Sequence, residues 1–315
     1  MPRSLRYIPD GGSLVEVTTR TFQSRLLLTP KPLLNRIILG ALARASNRYK
    51  VGVVAFFCLS NHYHLILQVR DADQLASFMG LFNSKLAKEV IRLTGWKGKV
   101  WSRRYDPIPI SEEEGAQVGR LLYVLANGCK EGLVARPQDW PGVHAVSALL
   151  SGESLEGTWY NRSLEHAARV RADETDSERF AEQEVLTLVP LPCWKDLSPE
   201  AYRARIAGLV EKIEADAAAL HKQTGRPPLG AKAILRQDPK TEPKQTKKSP
   251  APRFHAFSEG VRRGLYEAYA FFVSAFRTAA DKLKAGDRKA SFPTGSFPPH
   301  LPFVRDLTLE SLAPG

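Results

Sequence analysis

Residues 51–69 read VGVVAFFCLSNHYHLILQV, and this stretch decides the fold class. Residues 51–59 form a continuous apolar run bounded by polar positions, which suits an inner strand covered on both faces. Ser60-Asn61 allows only a tight connection, so residues 62–69 make a second strand beside the first. Side chains alternate between faces along a strand, so His62 and His64 project together while Tyr63 and Leu65 point the other way. Two imidazoles so placed can hold one divalent cation. H-x-H alone is a weak signal, because most histidines are surface or satisfied core residues.

Upstream, residues 14–20 (LVEVTTR) read as a β-branched strand. Thr29-Pro30 then supplies an N-cap and an N1 proline for a helix with Leu34, Ile37, Ile38, Ala41, Leu42 and Ala45 at helical spacing. Downstream, Leu75, Phe78, Met79, Phe82, Leu86, Val90 and Leu93 mark an amphipathic helix whose other side carries Lys85, Lys88 and Arg92. Residues 105–110 contain Pro107 and Pro109 and can only be an edge strand or an extended segment. Ser111-Glu112-Glu113-Glu114 reads as a capping box opening a last helix. The order is βαββαβα, an α+β arrangement. Its first six elements are those of a ferredoxin-like split βαβ, an antiparallel sheet with helices on one face.

The chain has 315 residues, 43% hydrophobic and 25% charged, a globular composition with room for about two ordinary domains. No run reaches the ~18 to 20 consecutive apolar residues of a membrane span, and MPRSLR at the start lacks an apolar export segment. The expectation is a soluble, cytoplasmic protein with no membrane partner. Cys58, Cys129 and Cys193 lie far apart without a C-x-x-C pair, which excludes a disulfide framework and a sequence-local zinc site. Any metal here must use His, Asn, Gln or carboxylates. GRPPLG at 225–230 lacks phosphate-loop spacing, so no nucleotide cofactor is indicated.

The net charge of +12 favours a polyanionic partner. It divides into +9 over residues 1–150, −6 over 151–220 and +10 over 221–290. The expected organisation is an α+β domain over 1–150 and a mainly helical, partly disordered extension over 151–315. That extension reads as an acidic helical part (151–224), a basic linker (225–257), a helix (258–286) burying Val261, Leu265, Tyr269, Phe272, Phe276 and Leu283, and a proline-rich tail (287–315). The basic block would grip duplex DNA, and the acidic block would face away or fold back over the basic surface.

On the helix after residue 111, with Val118 at zero and about 100° per residue, Leu121, Leu122 and Leu125 cluster near zero. Tyr123 falls at about 140° and Asn127 at about 180°, beside Arg120 and Lys130. Tyr123 therefore faces away from the helix's own apolar stripe. A phenol near bound metal and phosphate-binding cations is a credible nucleophile toward a phosphodiester.

Three ordered segments carry a resemblance: LSNHYHLIL (59–67), WSRRY (101–105), and YVLAN (123–127) with EGLVARPQDWP (131–141). Together they resemble the single-tyrosine HUH (IS200-like) transposases, most closely the branch of REP-associated tyrosine transposases. The resemblance covers roughly residues 1–150. It implies a ferredoxin-like catalytic domain, His62 and His64 as metal ligands, Tyr123 as nucleophile and Asn127 as third ligand. One departure is Asn127-Gly128 where related sequences usually continue Asn-Pro, and Asn-Gly favours turns, so the helix is expected to fray there. The activity implied is cleavage and rejoining of single-stranded DNA near hairpins, with Mg²⁺ or Mn²⁺ and a 5′-phosphotyrosine intermediate. The partner is then single-stranded or hairpin DNA, and the enzyme a monomer or homodimer.

Trp101, Arg103 and Arg104 suit stacking on unpaired bases and phosphate binding, or equally an edge tryptophan with solvated arginines. Lys85, Lys88 and Arg92 could track a DNA backbone. Trp140-Pro141 reads as a packing anchor, and His144, His166, His221, His255 and His300 show no partnering pattern. Two rival readings are a non-catalytic chromosomal DNA-binding or regulatory protein that keeps the transposase fold, and an RNA-binding ferredoxin-like module. The latter usually presents aromatics where this strand presents histidines.

Overall fold

The computed structural model describes residues 5–9, 11–172, 176–244 and 252–298. Seven elements follow in the expected order: β1 (Ser13–Arg20), α1 (Pro32–Tyr49), β2 (Gly52–Cys58), β3 (His62–Val69), α2 (Ala72–Thr94), β4 (Asp106–Ile110) and α3 (Glu114–Leu125). The strands form one sheet in the order β2-β3-β1-β4, every neighbouring pair antiparallel, so β2, read from its apolar run as an inner strand, lies at an edge, where main-chain bonds to Val143, Ala145 and Val189 cover its outer side. This is the ferredoxin-like arrangement. Register places Thr18 opposite His64 and Arg20 opposite His62. Period-2 alternation then puts Glu16, Thr18 and Arg20 of β1 on the same sheet face as the two histidines.

The opposite face packs on α2, where the Tyr63 hydroxyl donates to Asn83 Oδ1 at 2.6 Å and its ring meets Phe82 edge-on. The histidine face is covered by α3, whose Tyr123 ring lies 5.7 Å from His64. Helices therefore lie on both faces, because α3 carries its own apolar stripe of Leu121, Val124 and Leu125. Two starts differ from expectation. Helix α1 begins at Pro32, after Lys31 as N-cap, and the Thr29 hydroxyl donates to the Leu26 carbonyl, closing the turn before the helix. At α3 the Ser111 hydroxyl donates to Glu113 at 2.7 Å instead of capping, and Glu113 accepts the amides of Phe257 and Ser258.

Beyond α3 come α4 (Asn127–Lys130), α5 (Val146–Ser151), β5 (Leu155–Tyr160), α6 (Arg162–Ala172), β6 (Ala181–Leu186), α7 (Pro199–Thr224), α8 (Ala231–Leu235) and α9 (Glu259–Lys284). The stretch read as acidic and helical thus also contains an antiparallel strand pair, β5–β6. This pair lies on α1, where Gly40 and Gly157 meet: a Cβ on either would overlap the other segment's backbone. The absence of side chains at these two positions lets the second layer dock. A buried ion cluster ties the same layer to α2: Arg162 forks onto Glu89 at 2.8 and 2.7 Å, bonds Glu165 at 2.7 Å, and Lys85 bonds Glu89 at 2.9 Å.

Residues expected to form a basic linker are partly laid along the core. The amides of Leu229 and Gly230 donate to Gly132 and Leu133, the Leu26 amide donates to the Thr241 carbonyl, and Arg25 pairs with Glu242 at 2.9 Å. Sparse apolar content did not leave this segment loose, because main-chain groups supply the attachment. Residues 245–251 of that linker lie outside the described residues, as do residues 299–315 of the tail, including His300. Residues 292–298 contain neither helix nor strand.

The chain divides into two compact units, Ile8–Gly264 and a second made of Met1–Tyr7 with Leu265–Gly315. In the second, α9 buries Phe272 and Ala279, and Tyr7 packs on Tyr269 and Phe272 with ring centroids 5.9 and 5.1 Å apart. Val261, expected inside, is exposed. No helix among the described residues is long and apolar enough to cross a membrane.

Candidate active site

The two histidines are built in the same way. Asn61 Nδ2 donates to the Ser24 carbonyl at 3.1 Å, which orients the amide so that Oδ1 faces His62 Nδ1 at 2.6 Å. His64 Nδ1 meets Glu16 Oε1 at 2.8 Å and the Thr18 hydroxyl at 3.1 Å. Each Nδ1 faces an oxygen acceptor and so carries the ring proton, which puts the lone pair of the neutral ring on Nε2. The rings stand 5.2 Å apart at 75°. Hydrogen-bonded Nδ1 with a lone pair at Nε2 is the usual preparation of a metal-binding imidazole.

Glu16 is the centre of the polar network and was not singled out from the sequence. It is 1% exposed, and its Oε2 accepts from His255 Nε2 at 2.8 Å and from Arg120 at 2.6 Å. Burial pushes its pKa up, but hydrogen bonds from His255 and His64 and the Arg120 charge outweigh this and hold it well below the ordinary carboxylate range. The carboxylate is therefore ionised and acceptor-only. One signal was legible: a glutamate at the centre of a buried, alternating strand has to find partners.

Tyr123 is half-buried on α3, with Arg120 over its ring at 4.0 Å and Lys130 at 4.3 Å. Arg120 Nε is buried without a hydrogen-bond partner among the described residues. Arg20, also missed, is partly buried and makes no ion pair with a described residue. Burial lowers its pKa, while the charge of Glu131 and the Tyr123 phenol raise it and the Arg103 charge lowers it. It stays charged, as arginine does in proteins. Arg120 and Lys130 thus lie over the phenol ring, and Arg20 sits on the same sheet face as the histidines.

The helix breaks one residue before the expected point. Helix α3 ends at Leu125, Ala126 forms the joint, and Asn127 starts the short α4. The tyrosine–asparagine relation survives the break: Asn127 Nδ2 donates to the carbonyls of Tyr123 at 3.1 Å and Val124 at 3.2 Å. Asn127 Oδ1 receives no hydrogen bond from a described residue. Gly128 lets α4 approach the core, since a Cβ there would lie 3.0 Å from Val134 and 3.1 Å from Phe57.

The remaining sequence candidates separate. Arg103 and Arg104 are exposed, Arg103 pairing with Asp106. Trp101 is committed to packing: its indole N–H donates to the Asn83 carbonyl at 3.0 Å and its ring meets Tyr63 edge-on. Lys88 and Arg92 are exposed on α2, which covers the sheet face opposite the histidines. Lys85 does not reach solvent as a backbone-tracking cation would. It is 8% exposed and donates to Glu89 and the Tyr160 carbonyl, because the β5–α6 layer, invisible to helical periodicity, covers it. Trp140 is the expected anchor, donating to the Cys58 carbonyl at 2.9 Å and packing on Phe57.

Among the described residues no three His, Cys, Asp or Glu side chains converge as a metal site. The donor set suited to a divalent cation is the imidazole pair through Nε2, completed by an amide or by substrate and water oxygens. Such a set leaves positions open, as a catalytic metal requires.

No protein-family model matches the chain, and no curated protein is similar to it. Among solved structures, the chain is similar to a REP-associated tyrosine transposase bound to a REP hairpin, at 21% identity and a TM-score of 0.38, over 48% of this chain and 86% of that one. It is also similar to a proposed transposase from Deinococcus radiodurans, at 16% identity and a TM-score of 0.28, over 39% of this chain and 96% of that one.

Proposed function

We propose that this chain is a metal-dependent, single-tyrosine DNA transposase that cuts and rejoins single-stranded DNA near hairpins. The observation that carries the reading is the joint placement of two histidines, each with Nδ1 facing a side-chain oxygen, and of Tyr123 under Arg120 and Lys130, the phenol ring 5.7 Å from the His64 ring. The ordered sequence motifs support the same reading. In this reaction Tyr123 Oη bonds to the scissile phosphorus and the bond to the 3′ oxygen breaks. The phenolic proton is passed through solvent to balance the one the leaving 3′ oxygen takes up. The products are a 5′-phosphotyrosine and a free 3′-OH, and a second 3′-OH reverses the step on a new strand without ATP.

A Mg²⁺ or Mn²⁺ ion held by His62 and His64, with Asn127 as the third protein ligand, supplies Lewis-acid stabilisation of the phosphate when bound. The chain's own residues do the rest. Asn61 and Glu16 hold the imidazoles in orientation, Arg120 and Lys130 hold the phenol ring, and Arg20, which makes no ion pair with a described residue, is placed to take a phosphate oxygen. With one nucleophile per chain, the two strand ends are processed in sequence or by two copies.

The test is incubation of the full chain with a single-stranded hairpin DNA and Mn²⁺, followed by denaturing electrophoresis in SDS. A DNA-linked protein band that a chelator abolishes is expected. Binding without any covalent band under Mg²⁺ or Mn²⁺ would instead identify a non-catalytic DNA-binding protein. The RNA-module reading is disfavoured by α3, which covers the sheet face such modules leave open for stacked bases.

A further inference from the structure

His255 enters the site from far along the chain, 239 positions after the residue it touches, Glu16. Its backbone is fixed on both sides. The His255 amide donates to the Pro109 carbonyl at 2.9 Å and its carbonyl accepts from the Ser111 amide at 2.8 Å, extending the sheet beyond the edge strand β4. Two residues later, Glu113 accepts the Phe257 amide at 2.8 Å and the Ser258 amide at 3.0 Å. Phe254 is buried at 4% exposure. The imidazole is therefore aimed by main-chain pairing on one side and a carboxylate clasp on the other, and it is 11% exposed.

Charge neutralisation does not account for it, because Arg120 already pairs with the same Glu16 oxygen at 2.6 Å. Geometry does. A carboxylate held by Arg120 alone can swing about its Cγ–Cδ bond and offer both oxygens to the guanidinium fork, the preferred arrangement of that pair. A second donor on Oε2, His255 Nε2–H at 2.8 Å, opposes that swing. Oε1 then stays on His64 Nδ1 at 2.8 Å. We propose that His255 is a positioning residue of the site: through Glu16 it fixes the orientation and Nδ1–H tautomer of His64, so that the segment around residue 255 completes a catalytic domain whose motifs end more than a hundred residues earlier. The inference rests on the proposed metal-binding role of His64, and it makes the distal segment part of the site rather than an appendage.

The test uses full-length protein with ¹⁵N-labelled histidine, reading the His64 tautomer from its ring nitrogen resonances, and Mn²⁺ binding followed by electron paramagnetic resonance. In the wild type, His64 carries its proton on Nδ1. In His255→Ala it populates the Nε2–H form, and Mn²⁺ affinity falls by roughly 10- to 100-fold, the usual effect of losing an outer hydrogen-bond partner. His255→Gln, which returns a donor near the Nε2 position, restores most of both signals. In a Glu16→Gln background, His255→Ala adds nothing further, as expected of a residue acting through Glu16. Should the alanine variant not fold, His255→Phe, which keeps ring volume and backbone pairing but donates no hydrogen bond, carries the same expectations. A folded His255 variant with an unchanged His64 tautomer, or losses that add to those of Glu16→Gln, overturns the proposal. A wild type that binds no Mn²⁺ overturns the metal reading instead, while the tautomer measurement still decides the role of His255.

Discussion

Replacing Tyr123 by phenylalanine separates the chemistry of this residue from its packing. The ring contacts are the Arg120 and Lys130 cations at 4.0 and 4.3 Å and the edge-on His64 ring at 5.7 Å, all of which phenylalanine keeps. Tyr123 Oη makes no hydrogen bond to a described residue, so its removal leaves no buried group unsatisfied. Unfolding free energy should therefore change by no more than about 0.5 kcal/mol, and hairpin affinity by no more than about threefold, or roughly 0.7 kcal/mol. Covalent adduct formation, by contrast, should disappear, because no other hydroxyl is placed on that face by the same helix. Tyr123→Ala goes further: it also removes two cation–π contacts worth about 0.5–1 kcal/mol each and should destabilise the fold by about 1–2 kcal/mol. The assays are urea unfolding, hairpin binding by fluorescence anisotropy, and SDS-resistant adduct yield at saturating DNA. A phenylalanine variant that still becomes DNA-linked refutes the nucleophile assignment. A phenylalanine variant destabilised as much as the alanine one refutes the claim that only the ring packs.

Other expectations are as specific. His62→Ala and His64→Ala should each cut adduct yield more than about 100-fold, and a chelator should do the same to the wild type, while Asn127→Ala should be milder because water can replace an amide on such ions; full activity in chelator would exclude a metal role. Arg162→Ala leaves Glu89 and Glu165 buried but still bonded to Lys85, Arg169 and Ser177, so the loss of stability should fall near the low end for a broken buried pair, about 2–4 kcal/mol by urea unfolding. A change within 0.5 kcal/mol, the noise level of surface substitutions, would mean the cluster is not holding the β5–α6 layer. Hydrogen bonds from Ser258 and Ser111, with the Phe257 and Ser258 amides, lower the Glu113 pKa from 4.5 to about 2. The clasp on residues 257–258 is thus fully present above the ordinary carboxylate value and is lost as pH falls toward about 2. Amide exchange of Phe257 and Ser258, corrected for intrinsic rates, should show that loss in the wild type as pH falls and at every pH in Glu113→Ala, which removes both acceptor oxygens; pH-independent protection in the wild type would contradict it. Truncation after residue 220 removes His255 and the Leu229, Gly230 and Thr241 main-chain bonds, so single-turnover adduct formation should fall at least about tenfold. An unaltered rate in the shortened chain would make the distal half dispensable to the chemistry.

The local periods of the sequence were sufficient for the order of helices and strands in the first half of the chain. A two-residue repeat in 14–20 and 62–69 and a helical repeat in 34–45 and 75–93 each depend only on neighbours a few positions apart, so strand and helix order could be read in line. The same locality revealed that His62 and His64 share a face, and that Tyr123 leaves the apolar stripe of its helix beside Arg120 and Lys130. Glu16, Arg20 and His255 were hidden because their roles depend on cross-strand register and on a contact spanning 239 positions, neither of which leaves a periodic trace. Lys85 shows the converse failure: its helical face looked solvated, and only the arrival of the β5–β6 pair on α1 and of Arg162 beside Glu89 turned it into a buried ion-pair partner. Sequence determined which side chains could do chemistry. Tertiary packing decided which were desolvated, oriented and paired, because hydrogen-bond geometry and burial are set by whatever distant segment closes over a residue.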